Sequence, residues 1–118
     1  VLSPIGIGSK GKAYNINGDT AAAAVASFLN AEKLILLTDV RGVLGKKKEL
    51  IPQINALKAK KMIEQKVISG GMIPKIKCCL KALKDGVENV HIIDGHIPHA
   101  VLLEIFTDRG IGTMVAHS

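Results

Sequence analysis

Two short apolar runs, Leu34-Ile35-Leu36-Leu37-Thr38 and Val90-His91-Ile92-Ile93, constrain this chain more than anything else in it. A strand with one wet face alternates apolar and polar residues. Runs without that alternation predict strands covered on both faces, as in a sheet with helices above and below. The segments around them carry helical periodicity. Asp19 or Thr20 can cap a helix reaching about Leu29, with Ala22, Val25, Ala26 and Leu29 on one face. A second helix is predicted over residues 55–66, with Ala59, Met62, Ile63 and Val67 together. A third begins at Pro74, turns Ile76, Cys79, Leu80 and Leu83 inward and stops at Gly86. A fourth spans 98–107, and Gly112-Thr113-Met114-Val115 forms a short last strand. Strands alternating with helices predict one domain over residues 1–118, a three-layer α/β/α fold with a largely parallel central sheet. Ligands of such sheets sit at the carboxyl ends of the strands.

Composition narrows the function. With 118 residues, 47% of them hydrophobic and a mean hydropathy of +0.28, the chain is too apolar for disorder. No apolar run approaches the ~18 residues of a membrane span, and no signal pattern opens the chain, so a soluble, cytoplasmic protein without membrane partners is expected. Cys78 and Cys79 are neighbours on a predicted helix, diverging by about 100°, and cannot form an ordinary disulfide. The net charge of +6 raises the question of nucleic acid, yet Tyr14, Phe28 and Phe106 are the whole aromatic complement. With no stacking platform and no DNA-binding motif, no nucleic-acid partner is expected.

The chemistry is concentrated at a few motifs. Ser69-Gly70-Gly71-Met72-Ile73-Pro74-Lys75 sets flexible glycines and a lysine at a helix start. Unpaired N–H groups and the helix dipole favour an anion there by about 0.3–1 kcal/mol before the lysine adds its charge. Gly6-Ile7-Gly8-Ser9-Lys10-Gly11 spells a dinucleotide fingerprint, but extended residues rather than a helix follow it. Read as a phosphate loop, the same stretch offers Ala13 where a magnesium-binding hydroxyl is needed, so these glycines are expected to shape a hairpin beside a site. Asn15, Asn17 and Asp19 are spaced like the first ligands of a calcium loop, which Thr20 and Ala26 then fail to continue. In an extended segment the three would line one side of the chain, or else form an Asx turn and helix cap. Thr38-Asp39-Val40-Arg41-Gly42 adds polar groups at a strand exit.

These motifs together resemble a known family. Asn15-x-Asn17-x-Asp19-Thr20, Leu36-Leu37-Thr38-Asp39-Val40-x-Gly42-Val43-Leu44, Gly70-Gly71-Met72-Ile73-Pro74-Lys75, His91-Ile92-Ile93-Asp94-Gly95 and Glu104-Ile105-Phe106-Thr107-Asp108-x-Gly110-x-Gly112-Thr113-Met114 are similar, in order, to the acetylglutamate kinases of the amino acid kinase family. One departure is Gly18, where the family usually has alanine.

The resemblance implies phosphoryl transfer from ATP, with Mg2+, to the side-chain carboxylate of N-acetyl-L-glutamate in arginine biosynthesis. It implies that Lys75 neutralises charge on the moving phosphoryl group, that Asp19 positions catalytic lysines, and that Asn15 and Asn17 face the amino-acid substrate. Thr38, Asp39, Val40, Arg41, Gly42, Val43, Leu44, Val67, Ile68, Ser69 and Lys75 would line the nucleotide. No side chain is expected to form a dedicated metal site. His91, Glu104 and Gly110 match positions that bind arginine in the feedback-inhibited branch, although Glu104 could simply be the polar face of a helix and His91 a satisfied strand residue. The family's amino-terminal half, with a first glycine-rich loop, a second lysine and most of the acetylglutamate pocket, has no counterpart in this sequence. The chain is therefore read as the nucleotide-binding half of an enzyme expected to be a homo-oligomer at full length. Two alternatives stand beside it: a sibling kinase for aspartate, glutamate, carbamate or a nucleoside monophosphate, and a non-catalytic nucleotide- or arginine-binding module.

Overall fold

The computed structural model describes residues 2, 5–15, 17–107 and 110–117. Strands β1 (Ile5–Ile7) and β2 (Ala13–Asn15) pair antiparallel, with Ile7 opposite Ala13. The glycine stretch is the turn between them. The Gly8 N–H donates to the Lys12 carbonyl and the Gly11 N–H to the Gly8 carbonyl, with Gly11 at φ 77, a conformation that costs glycine little. The apparent fingerprint is thus spent on a hairpin.

Helix α1 (Gly18–Phe28) is capped by Asn17, not by Asp19 or Thr20. The Asn17 Oδ1 accepts the N–H groups of Asp19 and Thr20 at 3.0 and 3.3 Å. A cap lies one residue outside the helix, so capping from 17 puts Asp19 in the first turn and leaves its carboxylate available. Asn17→Ala should lower stability by about 1 kcal/mol, measured by thermal denaturation against the parent protein. Of the expected face of α1, Ala26 is buried and Ala22 packs against the core, while Val25 and Leu29 are 38% and 66% exposed and Ala23 is buried instead. Small alanine side chains let α1 approach helix α3 (Met72–Lys84), which it packs against.

The main sheet holds β3 (Lys33–Thr38), β4 (Gln53–Asn55), β5 (Asn89–Asp94) and β6 (Thr113–Ala116) in the order β3-β5-β6-β4. Pairs β3–β5 and β4–β6 are parallel and β5–β6 is antiparallel, so the sheet is mixed but mostly parallel. Leu34 and Leu36 lie opposite Val90 and Ile92 and join Ala23, Ala26, Ile76, Cys79, Ala82 and Leu83 in the core on one face. Helix α2 (Ala56–Glu64), capped by the Asn55 side chain, adds Ala59 and Met62 to that core. Helix α4 (Ala100–Phe106) packs on β5, and its Glu104 bonds His91, so it covers the opposite face. The fold is the expected three-layer α/β/α arrangement. Double burial holds for β5 but not for the edge strand β3, whose Leu37 is 57% exposed because the seven-residue α4 lies over β5.

Two further helix starts differ from expectation. Helix α3 begins at Met72, so Pro74 is its third residue. Its missing N–H is still harmless, because the first four N–H groups of a helix lack intrahelical acceptors. Helix α4 begins at Ala100 rather than Pro98, after His99 in a left-handed conformation (φ 58). No helix among the described residues is long and apolar enough to cross a membrane.

Candidate functional site

The fold gathers two helix starts at one rim of the sheet. Short connections join Phe28 to Lys33 and Lys84 to Asn89, so α1 and α3 each run antiparallel to the strand that follows. Both helices therefore begin where β3 and β5 end, at the paired residues Thr38 and Asp94. There the Lys75 Nζ lies 2.7 Å from the Asp19 Oδ2, with the side chains 24% and 29% exposed. One helical turn on, the Cys78 Sγ donates to the Asp19 carbonyl at 3.2 Å. Lysine, carboxylate and thiol thus bind the two helix starts together. Beside Gly70 (φ 60) and Gly71 there is open space, since an added Cβ would meet nothing within 4 Å. A cation, a helix start and uncovered backbone accordingly converge on one spot.

A cleft of about 180 Å³ opens next to that spot, lined by Val40, Gly42, Val43, Leu44, Val67, Ile68, Ser69 and Met72. Seven of these residues belong to the set expected from sequence. Met72 joins them because α3 starts two residues before the Pro74 that the sequence predicts. Thr38, Asp39, Arg41 and Lys75 do not line the cleft: the Thr38 hydroxyl points to the Asp39 Oδ1 at 3.4 Å on the rim, Arg41 is exposed, and Lys75 is paired with Asp19 beside it. Asn15 ends β2, and its side-chain atoms lie outside the described residues. The Asn17 side-chain oxygen is engaged as the α1 cap.

On the other face His91, Glu104 and Gly110 come together. Glu104 is buried, not on a polar helix face. Its Oε1 lies 3.0 Å from the His91 Nδ1, and its Oε2 accepts the N–H groups of Ile111 at 2.6 Å and Gly112 at 2.9 Å. Gly110 (φ 63) sits against the carboxylate, where a Cβ would be 2.7 Å from the Oε2. Among the described residues the buried His91 Nε2 has no hydrogen-bond partner. Asp108 and Arg109, within the same motif, lie outside the described residues.

Titration follows from these contacts. Burial pushes the Glu104 carboxyl up, but hydrogen bonds from His91, Ile111 and Gly112 outweigh it and hold the group below its ordinary value of 4.5. A lowered folded-state value means that the carboxylate stabilises the fold fully above about 4.5 and loses that contribution as pH falls through the folded value. Melting temperature should therefore drop on acidification below that point. Glu104→Gln should flatten the drop, leaving the smaller slope of groups such as Asp94, which the His96 N–H also holds low. Burial pushes the Cys79 thiol to about 12, so it is inert, and burial followed by the nearby Asp19 also raises Cys78.

Comparison with known proteins gives the arrangement a context. Residues 1–94 match the sequence profile of the amino acid kinase family. The acetylglutamate kinase of Syntrophus aciditrophicus is 58% identical over 113 residues, 96% of this chain and 38% of that protein. That of Trichlorobacter lovleyi is 57% identical over 115 residues, 98% and 39% respectively. The chain thus spans about two fifths of the length of the curated relatives it matches. Among solved structures, N-acetylglutamate synthase from Neisseria gonorrhoeae complexed with coenzyme A and L-arginine has a TM-score of 0.92 at 33% identity, over 99% of this chain and 27% of that one. Carbamate kinase from Giardia lamblia, bound to AMP-PNP, shares the fold with a TM-score of 0.72 at 19% identity, over 97% of this chain and 37% of that one.

Proposed function

Since this chain belongs to the amino acid kinase family, we propose that it is the nucleotide-binding part of an acetylglutamate kinase. The whole enzyme transfers a phosphoryl group from ATP to the side-chain carboxylate of N-acetyl-L-glutamate, giving an acyl phosphate and ADP. The observation that carries this reading is the Lys75–Asp19 pair at 2.7 Å, set at the head of α3 beside a mostly apolar cleft. Phosphoryl transfer asks a protein mainly for positioning and positive charge. Lys75 supplies the charge and Asp19 fixes its direction. Gly70 and Gly71 let phosphate oxygens approach the backbone, and Leu44, Val67 and Met72, which keep some exposed surface, take the base. A carboxylate acceptor is already ionised at neutral pH, so no general base is needed.

Among the described residues no group of three or more His, Cys, Asp or Glu could hold a metal ion. Mg2+ usually arrives on the nucleotide phosphates and needs only one or two carboxylates from the protein. When bound it would neutralise phosphate charge.

His91, Glu104 and Gly110 belong, in this reading, to an arginine feedback site. The support is their clustering and the arginine named with the Neisseria gonorrhoeae synthase. The buried Nε2 of His91, without a hydrogen-bond partner among the described residues, is the group that would meet a ligand there.

The test is a hydroxamate assay for acyl phosphate, run on the full-length protein and on this 118-residue chain. Full-length protein should turn over acetylglutamate in preference to aspartate, glutamate, carbamate and nucleoside monophosphates, and the chain alone should read background. Robust turnover by the chain alone would show that it is more than a nucleotide-binding part. Preference for another acceptor would move the protein to a sibling activity.

A further inference from the structure

The apolar cleft and the Glu104 cluster are joined through two consecutive residues. The Gly112 N–H donates to the Glu104 Oε2 at 2.9 Å. The next side chain, Thr113, is fully buried; its hydroxyl accepts the Val43 N–H at 2.9 Å and donates to the Ile51 carbonyl at 2.6 Å. Val43 lines the cleft. Every step from Glu104 to the cleft wall is therefore a hydrogen bond or a peptide bond.

Little slack exists along this path. A Cβ on Gly112 would come 2.2 Å from the Ile92 carbonyl oxygen, so the segment is pressed onto β5. A Cβ on Gly42 would come 2.7 Å from the Thr113 hydroxyl, so the cleft loop is pressed onto β6 from the other side. Packed contacts of this kind pass displacement on rather than absorb it. A threonine hydroxyl in an otherwise apolar core is also a poor choice for packing alone, because it needs both its partners to be tolerated there.

We propose that Thr113 is a positioning residue that holds the Val43 wall of the nucleotide cleft and links the state of the Glu104 cluster to nucleotide affinity. The inference rests on the nucleotide reading above and adds to it a residue and a route.

The experiment measures MgATP dissociation constants by calorimetry, and hydrogen exchange of the Val43 amide, in the full-length protein. Variants are Thr113→Val, Thr113→Ser, Glu104→Gln and the Thr113→Val/Glu104→Gln double mutant. Thr113→Val should weaken MgATP binding about tenfold and speed Val43 exchange, because a buried N–H loses its acceptor. Thr113→Ser keeps the hydroxyl and should restore both. Glu104→Gln should weaken binding in the Thr113 background and have no further effect in Thr113→Val, the non-additivity expected of a shared path. A lower melting temperature with unchanged MgATP affinity well below it would overturn the proposal, as would strictly additive effects. Should Thr113→Val fail to fold, unaltered Val43 exchange and MgATP affinity in Glu104→Gln would overturn it instead. Absence of MgATP binding by the wild type would sink the nucleotide reading itself and the inference with it. Normal wild-type binding with an indifferent Thr113→Val would sink the inference alone.

Discussion

Lys75→Ala in the full-length protein is expected to lower kcat about 100-fold or more, as removal of a preorganised charge from a transition state does. The Lys75 amine sits 2.7 Å from the Asp19 Oδ2 and about a quarter exposed, so its direction is set before any nucleotide arrives. The stability cost should be small. A pair this accessible to water is worth about 0–1 kcal/mol, so the melting temperature should move by a few degrees at most. Lys75→Arg should fail to rescue turnover, because a planar fork on a longer stem does not put its charge where a compact ammonium does. Steady-state kinetics on folded variants decides the matter. An unchanged kcat in folded Lys75→Ala would remove Lys75 from the mechanism.

Glu104→Ala should have the largest effect on stability. It would strand the His91 Nδ1 and the N–H groups of Ile111 and Gly112 in a buried site, a loss of about 3–5 kcal/mol if the network behaves like other broken buried pairs. It should also abolish arginine inhibition, provided the wild type is inhibited. Because both outcomes could come from a collapsed loop, Glu104→Gln is the informative companion. It keeps the volume and one acceptor oxygen, so it should fold and yet raise the arginine concentration for half inhibition by at least ~10-fold. Denaturant unfolding of the two variants, with inhibition curves on whichever folds, separates the roles. Glu104→Ala within 1 kcal/mol of wild type would mean that the three hydrogen bonds carry little of the fold.

The parts of the fold visible in sequence were those with strong periodic or positional signals. The apolar runs located β3 and β5, and the glycines after Ile7 were correctly read as a hairpin because no helix follows them. The remainder depended on contacts that local pattern does not encode. Strand β4 has three residues, of which Ile54 alone is apolar, too few to show a period. Ala22 and Ala26 of the α1 face are legible, but a run of alanines gives almost no directional preference, and packing on α3 turns Ala23 inward rather than Val25 and Leu29. Asn17 and Asp19 compete as caps on paper; the structure separates them by giving Asn17 the helix N–H groups and Asp19 the lysine. In sequence Glu104 matches an arginine position or else the polar face of a helix, and its burial shows only where three donors converge on it, two of them from a loop seven and eight residues away. Thr113 had no local signal, since its partner Val43 is 70 residues distant in sequence. Long-range polar contacts of this sort are where sequence reasoning runs out and where the site gains its connections.

In the function proposed above, a nucleotide sits between the head of α3 and the cleft beside it. Backbone amide chemical shifts of the 118-residue chain, followed by NMR through a titration with MgATP, test it most directly. Saturable shifts confined to Gly42–Leu44, Val67–Met72 and the first turn of α3 around Lys75 are expected. A titration that leaves those amides unmoved, or shifts only the lysine-rich face of α2, would contradict that placement.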